Sequence, residues 1–229
     1  MSLRDTLNAD RVYLTPNSWY IHVPGHVRVS TEEFEQLWEL KHRFQQQHIV
    51  LFGKRMPVPR IQGLFSARHI SYKFSGMSVP SEPITSHAIL EDLLKQVADT
   101  HNAVFANWYA SGQDSVGAHS DNETDLVKGS CIISISLNAA RTFRVKKKPT
   151  CDASSEVEKV DFQLEDGDVF VMGGAFQREF LHEVPKKARM VGDQRRINLT
   201  IRNFAPTDVA DKKRKRSKPP TSQESNSLR

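Results

Sequence analysis

The 229-residue sequence contains only two cysteines, Cys131 and Cys151, so neither a disulfide framework nor a cysteine metal site is indicated. No apolar run approaches the length of a membrane-spanning helix, and the first residues carry charge without the apolar core of a signal peptide. We therefore expect a protein of a reducing compartment that is neither secreted nor bound to a membrane. The length allows one large domain with a substantial core.

The sequence also lacks a strong charge over most of its length. Its formal net charge is +5, and residues 205–229 contain seven basic and three acidic residues, a net +4 that leaves about +1 for the other 204 residues. We predict that 205–229 form a disordered basic tail. The run "KKRKRSK" at 212–218 suits nuclear import or nucleic-acid contact, and a solubilising tail is the alternative. The expected location is nuclear, otherwise cytoplasmic.

Two amphipathic helices are predicted within residues 1–102. Ser30 and Glu33 form a capping-box pattern ahead of apolar residues at helical spacing, which are Phe34, Leu37, Trp38 and Phe44. A second helix is predicted from about Ser86, with Ile89, Leu90, Leu93, Leu94 and Val97 on one side. Between them, residues 52–83 are rich in Gly, Pro, Ser and basic residues, which predicts a long functional loop containing one short strand, "SYKFSG".

From residue 103 onward the pattern changes to short strands separated by turn signals such as "EDGD". The six predicted strands are "AVFANWY", "CIISISL", "RTFRVK", "VDFQL", "DVFVM" and "RRINLTIRNF". Many strands without intervening helices predict a mainly β fold with flanking helices, an α+β arrangement, with a sandwich or jelly-roll core at 103–204. The helices of residues 1–102 are expected to pack on its outside as an N-terminal buttress.

The segment "HSDNETD" at residues 119–125 places a histidine and an aspartate two residues apart. On an extended segment His119 and Asp121 project to the same side, so they can converge on one ion. His182, in "EFLHEVP", is the candidate third ligand. Two histidines and one carboxylate form the facial triad that suits non-haem Fe(II) and leaves positions open for oxygen and a co-substrate. Zinc accepts the same ligand types, so these residues alone leave both metals open.

Arg196 and Arg202, in "RINLTIR", are six residues apart, and this even separation places both guanidiniums on one face of a strand. Unpaired buried cations are costly, so two inward arginines beside a metal make little sense as core. They are explained if a small dicarboxylate lies between them and the ion, held by charge-assisted hydrogen bonds. 2-Oxoglutarate has that shape, because one end can chelate iron while the other meets arginine.

These motifs, in this order, resemble the AlkB family of Fe(II)/2-oxoglutarate dioxygenases over roughly residues 52–204. The resemblance implies a double-stranded β-helix (jelly-roll) core with a nucleotide-recognition lid. It implies Fe(II) held by His119, Asp121 and His182. The residues implied around 2-oxoglutarate are His182, Asn107 and Tyr109 of "NWY", and Arg196, Asn198, Thr200 and Arg202 of "RRINLTIR".

The segment "FGKRMPVPRIQGLFSARHISYKFSG" is similar to the substrate lid of the family branch that repairs double-stranded DNA. This resemblance implies that Tyr72 and Phe74 line the pocket for the target base, with Arg60 and Gln62 at its rim. It further implies that Phe52 enters the duplex as an apolar finger and that Glu123 reads the exocyclic amino group of the base. Two positions differ from the family pattern and leave the fine choice of substrate open: Asn122 replaces a frequent second aspartate, and Phe65 replaces an aromatic hydroxyl.

The implied function is oxidative dealkylation of bases such as 1-methyladenine and 3-methylcytosine in double-stranded DNA by a monomeric enzyme, with release of aldehyde, succinate and CO2. The alternatives are the same chemistry on RNA or on a protein side chain, a catalytically silent nucleic-acid-binding module, and a zinc hydrolase. Arg141, Arg144 and the lysines at 146–148 are candidates for phosphate contacts, and a solvated strand end is the equally open alternative.

Overall fold

The structure is a computed structural model that describes residues 11–51, 53–67, 71–74, 77–98, 100–121, 123–149, 158–189 and 191–205. Its strands are β1 Val12–Tyr13, β2 Ser18–Val23, β3 His48–Leu51, β4 Lys54–Pro57, β5 Ile61–Ser66, β6 Ser71–Phe74, β7 Met77–Pro83, β8 Ala103–Tyr109, β9 Val116–His119, β10 Ile132–Asn138, β11 Arg141–Lys147, β12 Lys159–Leu164, β13 Val169–Gly174, β14 Phe180–Val184 and β15 Arg196–Arg202. Its α-helices are α1 Thr31–Glu39, α2 Ala88–Val97 and α3 Phe176–Glu179, and 3-10 turns cover Leu40–Arg43 and Ile84–Ser86.

The strands form two main sheets joined by an apolar cluster. The large sheet has the order β1-β2-β13-β10-β15-β8-β5-β7-β6, and the small sheet has the order β12-β11-β14-β9. Strands β3 and β4 pair separately as a hairpin. Tyr109 and Phe170 of the large sheet pack in one buried cluster with Phe143 and Phe180 of the small sheet. This two-sheet core confirms the predicted mainly β fold with a jelly-roll arrangement.

Helices α1 and α2 cover the opposite side of the large sheet. Apolar side chains of both helices, including Leu37 of α1 and Leu93 of α2, share a buried cluster with Trp108 and Ile135 of the sheet. The Trp108 indole also donates a hydrogen bond from Nε1 to the Leu37 carbonyl at 2.9 Å. The prediction of helices packed on the outside of the strands is therefore confirmed.

The capping box predicted for the first helix is present at α1. The Glu33 backbone donates to Ser30 Oγ at 3.2 Å, and the Ser30 backbone donates to Glu33 Oε2 at 2.8 Å. Phe34, Leu37 and Trp38 are buried on one side of the helix. The inclusion of Phe44 was wrong, because the helix has ended by then. Phe44 is extended, stacks on Trp108 and meets Phe65 edge-on.

The described residues of 52–83 contain four strands, so the prediction of a long loop with one strand was wrong. Strand β5 is buried and pairs antiparallel with β8 and parallel with β7. Its Gly63 is required by packing, because a Cβ there would lie 2.5 Å from the Phe44 ring. The glycine therefore marks a close approach inside a strand rather than a turn. The predicted strand "SYKFSG" is confirmed as β6.

The large sheet runs across the boundary expected at 102/103. Strands β2, β5 and β7 from the first part of the chain lie in the same hydrogen-bonded sheet as β8, β10, β13 and β15. The predicted basic tail lies outside the described residues, except for Ala205, and so do Phe52 and Asn122. Within the described part of the chain, no helix has the length and apolar character to cross a membrane.

Candidate active site

Strand β15 lines the main cavity with alternate side chains. Arg196, Asn198, Thr200 and Arg202 all border this cavity, as expected for a strand whose side chains point alternately to opposite faces. The cavity has a volume of about 580 Å³, including its open mouth, and residues of both main sheets line it. The sequence-based prediction that both arginines face inward is confirmed.

His119, Asp121 and His182 meet at one place in the cavity wall. Their ligand atoms all lie within 4.8 Å of one another, and each imidazole Nε2 is 3.7 Å from an Asp121 carboxylate oxygen. His119 ends β9 and is paired with His182 in β14, so the small sheet brings the two imidazoles together. Two histidines and one carboxylate are the ligand set that suits Fe(II), so these three residues could hold an Fe(II) ion.

The hydrogen bond of His119 and the burial of His182 both suit metal binding. A carbonyl oxygen can only accept, so the 2.9 Å contact between His119 Nδ1 and the Gly117 carbonyl places a proton on Nδ1, and in the neutral imidazole the lone pair is then on Nε2. His182 is buried, and burial, together with His119 nearby, lowers its pKa to about 3, against the opposing effect of Asp121. His182 is therefore neutral near pH 7, as a ligand must be.

Arg202 supplies positive charge beside the metal ligands. Its Nη2 donates to Asp121 Oδ1 at 2.8 Å, and its Nη1 bonds Glu123 Oε1. Burial on its own raises the pKa of Asp121, but Arg202 and then the two histidines outweigh it, so the pKa is lowered overall. Asp121 is therefore held as a carboxylate, the form that binds a metal.

Arg196 has no acidic partner among the described residues. Its guanidinium is buried, Nη2 donates to Ser136 Oγ at 2.9 Å, and Nε and Nη1 have no hydrogen-bond partner. Burial lowers its pKa to about 10, which still leaves it charged near pH 7. Tyr109 lies below it, with the guanidinium carbon 5.2 Å from the ring centre. Buried donors without acceptors are costly, and an anionic ligand would satisfy them, so this end fits a carboxylate of 2-oxoglutarate.

Asn107, Asn198 and Thr200 lie between the two arginines. Asn107 is paired with Asn198 across β8 and β15, and both line the cavity. Asn198 Nδ2 donates to Ser134 Oγ at 2.7 Å, and Thr200 Oγ1 donates to Asn198 Oδ1 at 3.1 Å. The structure therefore brings together the residues predicted around 2-oxoglutarate, in one polar band of the cavity wall.

Arg60 and Gln62 also belong to this wall. Both are buried and border the cavity, deeper than the rim position expected of them. Arg60 Nε and Gln62 Nε2 donate to the same atom, Asn107 Oδ1, at 2.7 Å and 3.2 Å. Their contacts are thus with a residue of the polar band.

Of the other residues predicted to contact the base, the structure describes the side chain of Glu123 but not those of Phe52, Tyr72 and Phe74. Phe52 lies outside the described residues, and for Tyr72 and Phe74 only the backbone of β6 is described. Glu123 is bonded to Arg202 next to the metal ligands. Phe65 is completely buried among Phe44, Trp108 and His87, so no hydroxyl is needed at that position.

Gln177 and Lys148 support the loop of His119 and Asp121. The sequence analysis missed Gln177 and considered Lys148 only for a phosphate contact. Gln177 Oε1 accepts a hydrogen bond from the Asp121 backbone at 2.9 Å. Lys148 Nζ donates to Ser120 Oγ at 3.0 Å and to the Gln177 carbonyl at 2.9 Å. Nothing in their local sequence indicates these contacts. Ser134 and Ser136 were missed as well, although polar residues at alternate positions of the apolar segment "CIISISL" are a signal for a polar cavity face.

Arg141, one of the candidates for a phosphate contact, does not reach the surface. Arg141 is completely buried and donates to the carbonyls of Ser111, Asp114 and Pro185, so it ties loops together. Acidic residues also pair with the basic residues that follow on β11. Arg144 forms two 2.7 Å hydrogen bonds with Asp161, and Lys146 lies 2.8 Å from Glu183. This charge balance favours the alternative of a solvated strand surface.

Comparison with known proteins agrees with this site. A family model described as the 2OG-Fe(II) oxygenase superfamily matches residues 24–202. The two-sheet fold, the triad and this match define the class of protein, an oxygenase that uses Fe(II) and 2-oxoglutarate. The chain is 33% identical over 165 residues to the DNA oxidative demethylase ALKBH2 of Bos taurus, covering 69% of this chain and 58% of that protein.

The chain is also 32% identical over 165 residues to ALKBH2 of Mus musculus, covering 69% of this chain and 67% of that protein. It is 32% identical over 155 residues to the alpha-ketoglutarate-dependent dioxygenase alkB homolog 3 of Homo sapiens, covering 65% and 52%. The chain belongs to the AlkB family of this superfamily. It spans 58% of the length of the bovine relative and 52% of the human one.

A solved structure, that of OsALKBH1, has a similar fold. It aligns with a TM-score of 0.50 and 20% sequence identity, covering 84% of this chain and 100% of that chain. At this identity the similarity concerns the fold, and it agrees with the jelly-roll arrangement of the two sheets.

Proposed function

We propose that this protein oxidatively removes methyl and other N-alkyl groups from nucleobases in DNA, with 1-methyladenine and 3-methylcytosine in duplexes as substrates. The observation that carries the proposal is a His-Asp-His cluster, in which Asp121 and His182 are buried, that shares one cavity with the Arg196 guanidinium, two of whose donor atoms have no acceptor among the described residues. The names of the ALKBH2 relatives, which are DNA oxidative demethylases, support DNA as the substrate.

Each part of the cavity has a task in this reaction. His119, Asp121 and His182 would hold Fe(II), and Arg202 would balance the Asp121 charge. Arg196 would bind the carboxylate of 2-oxoglutarate that is remote from the metal, because no described residue accepts a hydrogen bond from its Nε or Nη1. When bound, iron and 2-oxoglutarate supply the oxidation of the alkyl carbon by O2, and the hydroxylated group then leaves as an aldehyde.

The substrate part of the proposal rests on charge and stacking. N-alkylation at these ring positions makes the base cationic, so a carboxylate near the iron ligands, such as Glu123, favours it over normal bases. The base has to leave the duplex, which costs a few kcal/mol. Tyr72 and Phe74 are proposed to stack on it, at about 1–3 kcal/mol per base, and Phe52 to occupy the gap that it leaves.

The same reaction on RNA is the second candidate. The identity to alkB homolog 3 is close to the identity to ALKBH2, and the chain is also 30% identical over 142 residues to an RNA replication protein of Grapevine virus A, covering 61% of this chain and 8% of that protein. Sequence similarity thus leaves the nucleic acid open. A charged base in a single strand would fit the same cavity.

An oligonucleotide panel tests the proposed function. The full chain is incubated with Fe(II), ascorbate and 2-oxoglutarate, and matched DNA and RNA oligonucleotides that carry 1-methyladenine or 3-methylcytosine, single- or double-stranded, are read by mass. We expect loss of one methyl group, with equimolar succinate, and the fastest turnover on duplex DNA. Faster turnover on RNA would favour the second candidate. The control variant Asp161→Asn, which changes a surface carboxylate, should match the wild type, whereas Asp121→Asn should be inactive.

The basic run 212–218 supports a proposed nuclear location. We also propose a monomer, because the reaction needs no second subunit. A fluorescent fusion with the run changed to glutamine should lose nuclear enrichment. Nuclear enrichment that persists would contradict this part of the proposal. A sedimentation mass close to 26.0 kDa is expected for the chain.

A further inference from the structure

Arg60, which precedes β5, and Gln62, which lies in β5, both donate hydrogen bonds to the amide oxygen of Asn107. Arg60 donates through Nε at 2.7 Å and Gln62 through Nε2 at 3.2 Å. Gln62 lies opposite Asn107 in the register of β5 with β8, and Arg60 directly precedes β5. Arg60 is additionally fixed by a 3.1 Å hydrogen bond from Nη1 to the Ser115 carbonyl. All three of these polar side chains, Arg60, Gln62 and Asn107, are buried.

These contacts determine which way the Asn107 amide faces. A guanidinium only donates hydrogen bonds, so the atom that meets Arg60 Nε has to be the carbonyl oxygen Oδ1. The Nδ2 group therefore faces away from Arg60, and no described residue accepts a hydrogen bond from it. Because Asn107 borders the cavity, its two N–H groups are left for a bound ligand.

The position of Asn107 relates these donors to one part of the cavity. Its partner Asn198 lies on β15 two residues after Arg196, and the neighbouring pair is Tyr109 with Arg196. A dicarboxylate that extends from Arg196 toward the metal ligands passes this point. Its oxygens accept hydrogen bonds and carry negative charge, so they suit Nδ2 and would be repelled by Oδ1.

We propose that Arg60 and Gln62 are positioning residues for 2-oxoglutarate, which act by holding the Asn107 amide with its N–H groups toward the co-substrate. The inference rests on the proposed placement of 2-oxoglutarate beside Arg196. Without the Arg60 donor, the amide can turn over and present its oxygen to a carboxylate. In a buried site this repulsion is poorly screened, so the loss is felt in co-substrate affinity. Arg60 thereby acts on the co-substrate rather than on the base.

A double-mutant cycle tests this inference on the full chain. The dissociation constant of 2-oxoglutarate is measured by calorimetry with Mn(II) in place of Fe(II), for the wild type, Arg60→Met, Asn107→Ala and the double variant. Arg60→Met retains the length of the side chain and removes its donors. We expect it to weaken 2-oxoglutarate binding about tenfold, as for loss of one hydrogen bond to a charged group.

The double variant should bind 2-oxoglutarate about as weakly as Asn107→Ala alone, because Arg60 acts through Asn107. Affinity for a methylated oligonucleotide, measured without 2-oxoglutarate, should stay within about twofold of the wild type. Arg60→Lys, which retains a donor and the charge, should recover part of the loss. The matched control Arg144→Met removes an equal charge from an exposed strand face and should change neither constant.

Additive losses in the cycle would overturn the inference, since they would mean that Arg60 acts independently of Asn107. Weakened oligonucleotide binding with an unchanged 2-oxoglutarate constant would overturn it as well and would return Arg60 to the base pocket. If Arg60→Met does not fold, Gln62→Met in the same cycle carries the test, with an expected loss of about threefold. A wild-type protein that binds no 2-oxoglutarate at all contradicts the proposed function itself, which separates the two failures.

Discussion

The two ends of strand β15 carry the same side chain in opposite electrostatic surroundings. At one end, Arg202 is bonded to the carboxylates of Asp121 and Glu123. At the other end, Arg196 contacts a serine hydroxyl and an aromatic ring, and two of its donor atoms are unsatisfied. The difference shows that residue type and strand face do not define a role. The role of each arginine is set by the acceptors that other elements place beside it. The two carboxylates beside Arg202 make that end suitable for a cation, and the lack of a carboxylate among the described residues beside Arg196 makes the other end suitable for an anion.

The largest effect is expected from loss of a metal ligand at the Arg202 end. Asp121→Ala removes a proposed ligand and also one of the two carboxylates bonded to Arg202. Because changes to residues that only support a ligand cost about 10–100-fold in metal affinity or activity, loss of the ligand itself should cost more than about 100-fold. Succinate release and Mn(II) binding measure this, with Asp161→Asn as the control. If the variant retains more than about 1% of the wild-type turnover, Asp121 is not a metal ligand.

At the Arg196 end, Arg196→Gln should weaken 2-oxoglutarate binding by about 100-fold, since one or two hydrogen bonds to a charged group are lost. Mn(II) binding in the absence of 2-oxoglutarate should change little, because Arg196 does not contact the metal ligands. Arg196→Lys should recover only a part, since an ammonium lacks the planar two-donor geometry. Equal losses of metal and 2-oxoglutarate affinity would contradict the separation of the two ends.

At the other end of β15, Arg202→Gln should mainly change the free energy of unfolding, and the change should depend on whether metal is bound. In the metal-free protein it leaves Asp121 and Glu123 without their cation, which should lower the free energy of unfolding by about 3 kcal/mol. Bound Mn(II) supplies positive charge at the same place, so the loss should be clearly smaller in its presence. Thermal unfolding of the variant and the wild type, each with and without Mn(II), measures the difference. The same loss in both states would argue against charge balance as the role of Arg202.

A smaller effect is expected from Gln177→Ala, which removes the acceptor for the Asp121 backbone without changing any charge. Metal affinity should fall by about tenfold, the lower end of the range for residues that orient a ligand. The 2-oxoglutarate constant, measured at saturating Mn(II), should change less than that. Gln163→Ala, on the exposed strand β12, is the matched control. Metal affinity equal to wild type would leave the loop fixed by Lys148 alone.

The smallest effect on the site should come from Asp168→Asn, because the Asp168 carboxylate bonds His22 and the backbones of Gly25 and Glu165 and contacts neither arginine. Burial raises the pKa of Asp168, but hydrogen bonds from the Glu165 backbone, His22 and the Gly25 backbone outweigh it, so the pKa is lowered. The stabilisation is therefore present above the unfolded pKa of about 3.9 and is lost as the pH falls through the folded value. Unfolding between pH 3 and 7 should show a weaker acid dependence in the variant, with unchanged ligand binding. An identical pH profile would exclude this contribution.

The alternation of side chains made much of the site predictable from the sequence. In β15, inward residues at every second position are a direct consequence of strand geometry, so Arg196 and Arg202 could be assigned to one face. The H-x-D spacing of His119 and Asp121 follows the same rule. His182 could be named as the third ligand, but its pairing with His119 depends on the small sheet, which no local pattern encodes.

Other features depend on contacts between distant segments. Arg141 looks like Arg144 in the sequence, yet Arg141 is fully buried against three carbonyls and Arg144 is partly exposed and paired with Asp161. Only the alternation of β11 across the small sheet separates them. Gln177 and Lys148 act through a backbone N–H and a hydroxyl of the metal loop, which any polar residue of suitable length could reach. Strand β5 was not predicted because a glycine such as Gly63 is usually a turn signal. Its role in the strand depends on the Phe44 ring, which packs against it from a distant segment.

The continuity of β15 has a consequence for the length of the acid that this enzyme accepts. Hydrogen bonds to β8 and β10 hold the strand on both sides, so the spacing between its Arg196 end and the metal ligands near Arg202 is set by the backbone. Strand residues are spaced about 3.3 Å apart. If the keto diacid is longer or shorter by one methylene, its remote carboxylate is displaced from Arg196 by a substantial fraction of that spacing. Keto diacids with four or six carbons should therefore be poor replacements for the five-carbon one. The rigid strand thus selects the length of the keto diacid.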